Sequence, residues 1–378
     1  MQEHQVQALL VNKMKDHNLI ADAIVLLETL ISIPSPSRHE DKTADAIQVF
    51  FQQRKIAVRR SQNNIWCSNK FFNASLPSLL LNSHHDTVAP NAQYKNNPYQ
   101  PIQKDGKLFG LGSTDAGASL VSLLAAFLKY YDAENLPYNI VFAATAEEEI
   151  SGVNGISSLL EIEEFKNYFI HKDSVAIIGE PTELELAIAE KGLLVLDCIV
   201  HGKPGHAARD DGENAIYKAI KAIDWFRHYV FEKKSEWLGE VKMTVTSIST
   251  ENITHNIIPA SCNFVVDIRV TDVYTHEEIL QTIKEHVDAE IKPRSMRLRS
   301  SLINESHPLV HPGITLGKKC YGSPTSSDKG LIPLPALKCG PGSSVQSHSA
   351  DEFILIKDIE AGILFYIELM NAFFNTEL

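Results

Sequence analysis

At 378 residues, 44% of them apolar and 22% charged, the chain is roughly two to three times a typical domain length, which excludes a peptide, a small scaffold or a disordered polymer. Its 35 Lys and Arg against 47 Asp and Glu leave a net charge of −12, a field that repels polyanions, so nucleic acid is not an expected partner. The opening MQEHQVQALLVNKMKDHNL lacks the basic start, apolar stretch and cleavage site of a secretory signal, and no apolar run reaches membrane-span length; a cytoplasmic protein without membrane contact is expected. Five scattered cysteines, Cys67, Cys198, Cys262, Cys320 and Cys339, form no C-x-x-C pair. Any bound metal is therefore expected on His, Asp and Glu rather than on thiolates.

Helical spacing of apolar residues predicts helices at Asn18–Ile33, ended by Ile33-Pro34-Ser35-Pro36-Ser37, and at Asp41–Phe51. Short apolar runs at Leu79–Leu81, Ile140–Ala144 and Val175–Ile178 read as buried parallel strands, with an apolar helix at Ser119–Leu128. From about Lys191 the pattern changes to strand Leu193–His201, helix Glu213–Phe231, strands Val241–Ser249 and Cys262–Val270, helix Thr275–Val287 and strand Met296–Ser301. That βαββαβ order is the order of a split βαβ sandwich inserted into another fold. A strand at Ala336–Lys338 and a long helix at Ile356–Phe373 return to the first domain. The fold class expected is α/β, with a discontinuous main domain over 1–190 and 301–378 and an inserted α+β domain over 191–300.

The polar residues at the strand ends carry the chemistry, because ligands of open α/β sheets collect beyond the carboxyl ends of the strands. Leu79–Leu81 runs into Asn82-Ser83-His84-His85-Asp86-Thr87-Val88, where an H-x-D pair offers an imidazole and a carboxylate to orient it; a plain polar loop reads the same way. Gly110-Leu111-Gly112-Ser113-Thr114-Asp115 opens a helix but lacks the lysine of a phosphate loop, and Asp115 alone also suits an N-cap. Ile140–Ala144 ends in Glu147-Glu148-Glu149, three carboxylates that repel one another unless a cation or proton intervenes; a solvated acidic loop is the alternative reading. Val175–Ile178 ends in Gly179-Glu180-Pro181-Thr182, and the C-terminal part adds Gly340-Pro341-Gly342-Ser343 and Ser347-His348-Ser349-Ala350-Asp351-Glu352. Of His84, Asp115, Glu148, Glu149, Glu180 and His348, five can hold two divalent cations with one bridging carboxylate, and the sixth can act as a base. Two-metal sites of this kind, with metals roughly 3.5–4 Å apart, activate water and polarise a carbonyl.

These segments, with His201-Gly202-Lys203-Pro204-Gly205-His206-Ala207-Ala208-Arg209, resemble the di-zinc acetylornithine deacetylase, succinyl-diaminopimelate desuccinylase and aminoacylase family of metallopeptidases along nearly the whole chain. The wording around Gly112-Ser113-Thr114-Asp115 is most similar to the acetylornithine deacetylase branch, some of whose members act on N-acyl-citrulline. The resemblance implies a zinc-hydrolase domain with a mixed sheet flanked by helices, and an inserted lid and dimerisation domain. It implies that His84, Asp115 and Glu180 hold one zinc and Asp115, Glu149 and His348 the other, with cobalt as a possible substitute. Glu148 would be the general acid/base and Asp86 the clamp on His84, although the pair Glu147/Glu148 is an alternative register to Glu148/Glu149. His206, lent to a partner's site in a homodimer, would bind the oxyanion, and Arg269 and Asn256 match substrate-binding positions. Many relatives carry lysine two residues after the bridging aspartate, where this chain has Gly117.

The expected activity is hydrolysis of the amide of an N-acyl-L-amino acid, N2-acetyl-L-ornithine or N-acetyl-L-citrulline, in arginine biosynthesis. The alternatives are an N-succinyl-amino acid desuccinylase, a di-zinc dipeptidase or aminopeptidase, and, from another class, a catalytically silent metal-binding scaffold. A scaffold needs no base, which the presence of Glu148 and His206 argues against.

Overall fold

The runs Leu79–Leu81, Ile140–Ala144 and Val175–Ile178 lie in strands Ser78–His84, Asn139–Thr145 and Val175–Gly179 of a computed structural model, which describes residues 18–209 and 211–376. Most of the N-terminal segment read above, residues 1–17, lies outside the described residues. All three strands are buried throughout, as continuous apolar strands are when helices cover both faces of a parallel sheet. Ser78–His84 pairs parallel with both others, Leu80 lying between Val141 and Ala176. Ala336–Cys339 adds in parallel beside Val175–Gly179, and Leu186–Glu190 runs antiparallel to it. At the other side Asn64–Ser68 and Arg59–Ser61 extend the sheet antiparallel, so the sheet is mixed.

Alternation along these strands sends neighbouring side chains to opposite faces, and each face has its cover. Phe142 meets Phe51 of helix Asp41–Gln53 and Phe127 of helix Ser119–Tyr130, at centroid distances of 5.7 and 5.9 Å. Trp66, one residue from the strand partner of Phe142, faces the other way and meets Phe165 at 5.9 Å. The C-terminal helix Ile356–Phe374 lies along Ser119–Tyr130, the Tyr130 hydroxyl donating to the Ile367 carbonyl at 3.0 Å. The parallel strands end at His84, Thr145, Gly179 and Cys339, so their carboxyl ends share one edge of the sheet. That edge is where the acidic and histidine motifs follow.

The chain divides into two units. One runs to Ile188 and takes up Ile303–Tyr321 and the chain from Ile332 onward; the other holds Ala189–Leu302 and Gly322–Leu331. Gly322–Leu331 thus groups with the inserted unit, although the sequence reading places everything after residue 300 in the main domain. Its attachment is by hydrogen bonds that leave no periodic trace in sequence. The Ser327 amide and hydroxyl donate to the buried Glu190 carboxylate at 3.2 and 2.8 Å, and the Gly330 carbonyl accepts from the Arg299 amide at 3.2 Å.

The inserted unit is a four-stranded antiparallel sheet in the order Lys242–Thr250, Ser261–Val270, Gly192–His201, Glu290–Pro293. Helices Ala215–His228 and His276–His286 pack on the face that carries Leu194, Leu196, Cys198, Phe264, Val266 and Ile268. The sixth element of the βαββαβ order is Glu290–Pro293, not the predicted Met296–Ser301. Met296 and Leu298 are apolar because they lie against the unit's interior; of that run only Ser301 joins a ladder, in the two-residue strand Ser301–Leu302 opposite Glu190 and Ala189. The true strand carries a single aliphatic side chain, Ile291, among polar residues, which hid it from a periodicity reading.

His276, at the start of its helix, is 1% exposed. Burial, with the Arg299 guanidinium adding and Glu277 opposing, holds its pKa below the usual histidine value. A depressed histidine leaves stability intact above its unfolded value of about 6.5 and removes it as pH falls, because the unfolded chain takes up a proton the fold resists. Between pH 7.5 and 5.5 the wild type is therefore expected to lose more of its urea midpoint than His276→Gln does. Equal losses in the two proteins would remove His276 from the account.

Candidate metal centre

Each donor of the site is delivered by a backbone feature that its neighbouring sequence explains. His84 closes strand Ser78–His84, and Glu180 follows the last residue of Val175–Gly179. Asp115 sits on the turn that leads into helix Ser119–Tyr130, behind Gly112 at φ 74°, where a Cβ would come within 2.7 Å of the Thr87 methyl. Glycine is needed there both for the left-handed backbone and for the close approach. Glu148 and Glu149 lie on a short helical turn after strand Asn139–Thr145, entered through Glu147 in a left-handed conformation. His348 lies in the loop between Ala336–Cys339 and Phe353–Leu355.

These residues converge. Donor atoms of His84, Asp115 and Glu180 lie within 4.8 Å of one another, and so do those of Asp115, Glu149 and His348. Asp115 is common to both groups: its Oδ1 is 3.3 Å from His84 Nε2 and its Oδ2 is 3.6 Å from His348 Nε2. His84 Nε2 is also 3.8 Å from Glu180 Oε1 and 3.8 Å from Glu148 Oε2, and His348 Nε2 is 2.9 Å from Glu149 Oε2. Ser347 donates its hydroxyl to Asp115 Oδ2.

A ring of buried carboxylates holds the backbone of these turns. Asp86 accepts the Glu148 and Glu149 amides at 3.0 and 3.2 Å and the Ser37 hydroxyl at 2.7 Å. The His84 Nδ1 lies 3.0 Å from the Asp86 carbonyl and 3.4 Å from its carboxylate, so Asp86 touches the imidazole through main chain and side chain alike. Glu147 turns away: its carboxylate accepts the Asn154 amide at 3.2 Å and the Asn154 side chain at 2.8 Å, while its own amide donates to the buried Glu40. Of the three adjacent glutamates, the second and third are the ones beside the histidines. Glu352 accepts the amides of Gly112, Thr114 and Asp115 at 2.9, 2.7 and 3.0 Å. His85, given no role in the sequence reading, is buried between the Thr43 hydroxyl and the Asn63 carbonyl, each 2.9 Å away. Glu40 and Glu352 are the residues the sequence reading missed. For Glu352 the available signal was an acidic pair, Asp351-Glu352, three and four residues after His348 and just before an apolar strand.

The electrostatics are those of carboxylates crowded with too little positive charge. Burial, with Asp115 and Glu149 adding, pushes Glu180 up to about 8. Burial and Asp115 likewise raise Glu149 against the pull of His348. The bond to Glu149 raises His348 to about 9 in spite of burial, and His84, though buried, is held well above its usual value by Glu148, Asp115, Asp86 and Glu180. Divalent cations on the same nitrogens and oxygens would supply the missing charge. Histidine with carboxylate ligands and no thiolate suits zinc or cobalt.

The remaining predicted residues belong to the inserted unit. His206 ends the two-residue strand Gly205–His206, which pairs with Ile257–Ile258, and the Asn256 carbonyl accepts the Ala207 amide at 3.0 Å, so His206 and Asn256 share one ribbon. Arg269, on strand Ser261–Val270, is bound through Nε and Nη2 to Asp267 at 2.8 and 3.0 Å. Among the described residues no helix is long and apolar enough to cross a membrane.

Comparison with known proteins follows the same outline. A family model described as peptidase family M20/M25/M40 matches residues 80–372. A succinyl-diaminopimelate desuccinylase of Orientia tsutsugamushi (strain Ikeda) is 27% identical over 376 residues, 93% of this chain and 96% of that protein. An acetylornithine deacetylase of Buchnera aphidicola subsp. Schizaphis graminum is 28% identical over 368 residues, covering 89% and 93%. The crystal structure of an M20 family metallo-carboxypeptidase from Sulfolobus solfataricus superposes with a TM-score of 0.73 at 15% identity, covering 94% of this chain and 99% of that one.

Proposed function

Starting from the fact that the chain belongs to peptidase family M20/M25/M40 and is a metal-dependent amidohydrolase, we propose that it cleaves the amide of an N-acyl-L-amino acid. The first substrate reading is N2-acetyl-L-ornithine or N-acetyl-L-citrulline, which places the reaction in arginine biosynthesis in the cytoplasm. The observation that carries the proposal is the pair of donor groups sharing Asp115, with Glu148 beside them. We assign one zinc to His84, Asp115 and Glu180 and the other to Asp115, Glu149 and His348, with cobalt as a substitute. Bound there, such ions would lower the pKa of a water molecule towards 7 and polarise the amide carbonyl.

Glu148 takes the proton of the attacking water as its oxygen bonds to the carbonyl carbon. It then delivers that proton to the amine as the C–N bond breaks, a positioned transfer worth roughly a hundred- to ten-thousandfold in rate. Asp86 keeps the Glu148 and Glu149 amides and the His84 ring in place. His206 is assigned, by family resemblance, as the donor that a second copy in a homodimer lends to the oxyanion, a contribution of about 3 kcal/mol. Arg269 and Asn256 are assigned to substrate binding on the same ground. Arg269 suits a carboxylate by its planar fork, and taking up substrate would exchange Asp267 for it.

A second substrate reading, an N-succinyl-amino acid, is supported by the activity named for the Orientia relative. The test is amine release from N-acetyl-ornithine, N-acetyl-citrulline, N-succinyl-ornithine, N-succinyl-citrulline, N-succinyl-diaminopimelate and simple dipeptides, with zinc or cobalt and with chelator. Metal-dependent cleavage of one acyl-amino acid is expected, and it fixes acyl group and side chain together. No cleavage of any of them by protein carrying two metal ions would overturn the N-acyl-amino acid reading and point to a substrate outside this panel.

A further inference from the structure

The wide helical turn Ser113–Ala118 that leads into helix Ser119–Tyr130 is broken at Asp115 and Ala116, whose backbone is not helical, and three amide groups of this stretch point at one side chain. That side chain is Glu352, 1% exposed, whose Oε2 accepts from Gly112 and whose Oε1 accepts from both Thr114 and Asp115. The main chain on either side of it closes the same contact. The Glu352 carbonyl accepts the Gly110 amide at 3.0 Å, the Phe353 carbonyl accepts the Thr114 hydroxyl at 2.7 Å, and Phe353–Leu355 pairs with Lys107–Phe109. Four residues earlier the same segment bears His348, and Ser347 beside it donates to the Asp115 carboxylate. One stretch of chain therefore supplies a donor of the second group and fixes both the amide and the carboxylate of the residue common to both groups.

We infer that Glu352 is a positioning residue of the metal centre, holding the Gly112–Asp115 turn so that Asp115 faces both donor groups at once. The inference rests on the assignment of metals proposed above. Buried carboxylate bonds to backbone amides are charge-assisted and directional, and outer partners of metal ligands typically govern affinity by 10- to 100-fold. A ligand confined to one group weakens one metal when its support is lost. Asp115 belongs to both, so loss of Glu352 weakens both.

The test is zinc titration of the metal-stripped full chain against a competing chromophoric chelator, for wild type, Glu352→Gln and Glu352→Asp, together with the visible absorption spectrum of the cobalt-loaded proteins. Gln keeps the shape but sets an NH2 group against a backbone N–H, and Asp keeps the charge but shortens the reach. Both are expected to bind the first and the second zinc at least about tenfold more weakly than wild type and to alter the cobalt spectrum. Wild-type affinity for both zinc ions and an unchanged spectrum, in whichever variant folds, overturns the inference, even with a lowered melting temperature, because a purely structural brace would leave affinity alone. A wild-type chain that binds no metal overturns the inference and the functional proposal together, whereas failure to cleave any substrate with both metals bound touches the latter only.

Discussion

Replacing Glu148 by Gln is expected to lower turnover of the best substrate by about a thousandfold while the chain still takes up two metal ions. The general acid/base role places the loss in the range of roughly a hundred- to ten-thousandfold. The substitution is close to isosteric, and the turn that carries it is fixed by main-chain bonds from residues 148 and 149 to Asp86, which the change leaves intact. Its neighbour does not stand in, because the Glu147 carboxylate is occupied by Asn154. Elemental analysis for metal and steady-state rates decide the matter. Activity within tenfold of wild type would refute the role of Glu148, and a larger loss in Glu147→Gln than in Glu148→Gln would restore the alternative register.

Asp115→Asn is expected to empty both metal positions, whereas Glu180→Gln and His348→Ala each lower the metal content by one. The side chain of Asp115 lies between the two histidines, 3.3 Å from one and 3.6 Å from the other, and belongs to both donor groups. Asn retains the volume and one oxygen but removes the charge that two cations would share. Losing metal assistance costs about 3 kcal/mol or more of transition-state stabilisation, which is two or more orders of magnitude in rate. A second reading comes from heat. Zinc at 100 times its dissociation constant adds about 2.7 kcal/mol to the stability of a protein that binds it only when folded. The wild type should therefore melt higher with zinc, and Asp115→Asn should not; an equal zinc-dependent shift in both would remove the shared-ligand assignment.

Much of the scaffold was legible because its strands are read by composition alone. Ser78–His84 and Asn139–Thr145 are buried on both faces and contain the continuous apolar runs that such burial demands. Their polar successors stood out because three adjacent glutamates at the end of a buried strand repel one another, although a solvated acidic loop reads the same way and Glu147 proves to serve the local fold. What sequence does not carry is which amide a carboxylate will meet across more than two hundred residues. Glu352 is ordinary in its own neighbourhood and becomes informative only when seen against Gly112, Thr114 and Asp115. Asp86 was read as a partner of the His84 ring; its carboxylate is equally a partner of two main-chain amides. Glu290–Pro293 escaped because a short strand with one aliphatic residue has no pattern to read, and Leu186–Glu190 because its apolar run lies next to that of the following strand.

The position of Ala336–Cys339 in the sheet also bears on when the centre comes into being. It lies between Val175–Gly179 and Leu186–Glu190, although it is made long after either of them. On a ribosome adding about 5–20 residues per second, the stretch from Glu180 to Glu352 takes on the order of ten to thirty seconds. For most of that interval a nascent chain that holds His84, Asp115, Glu149 and Glu180 lacks Ala336–Cys339, and for all of it the carboxylate that shapes the turn of Asp115. On the assignment proposed above, a ribosome that stops short of residue 352 would yield a product with most of the proposed ligands and no finished centre.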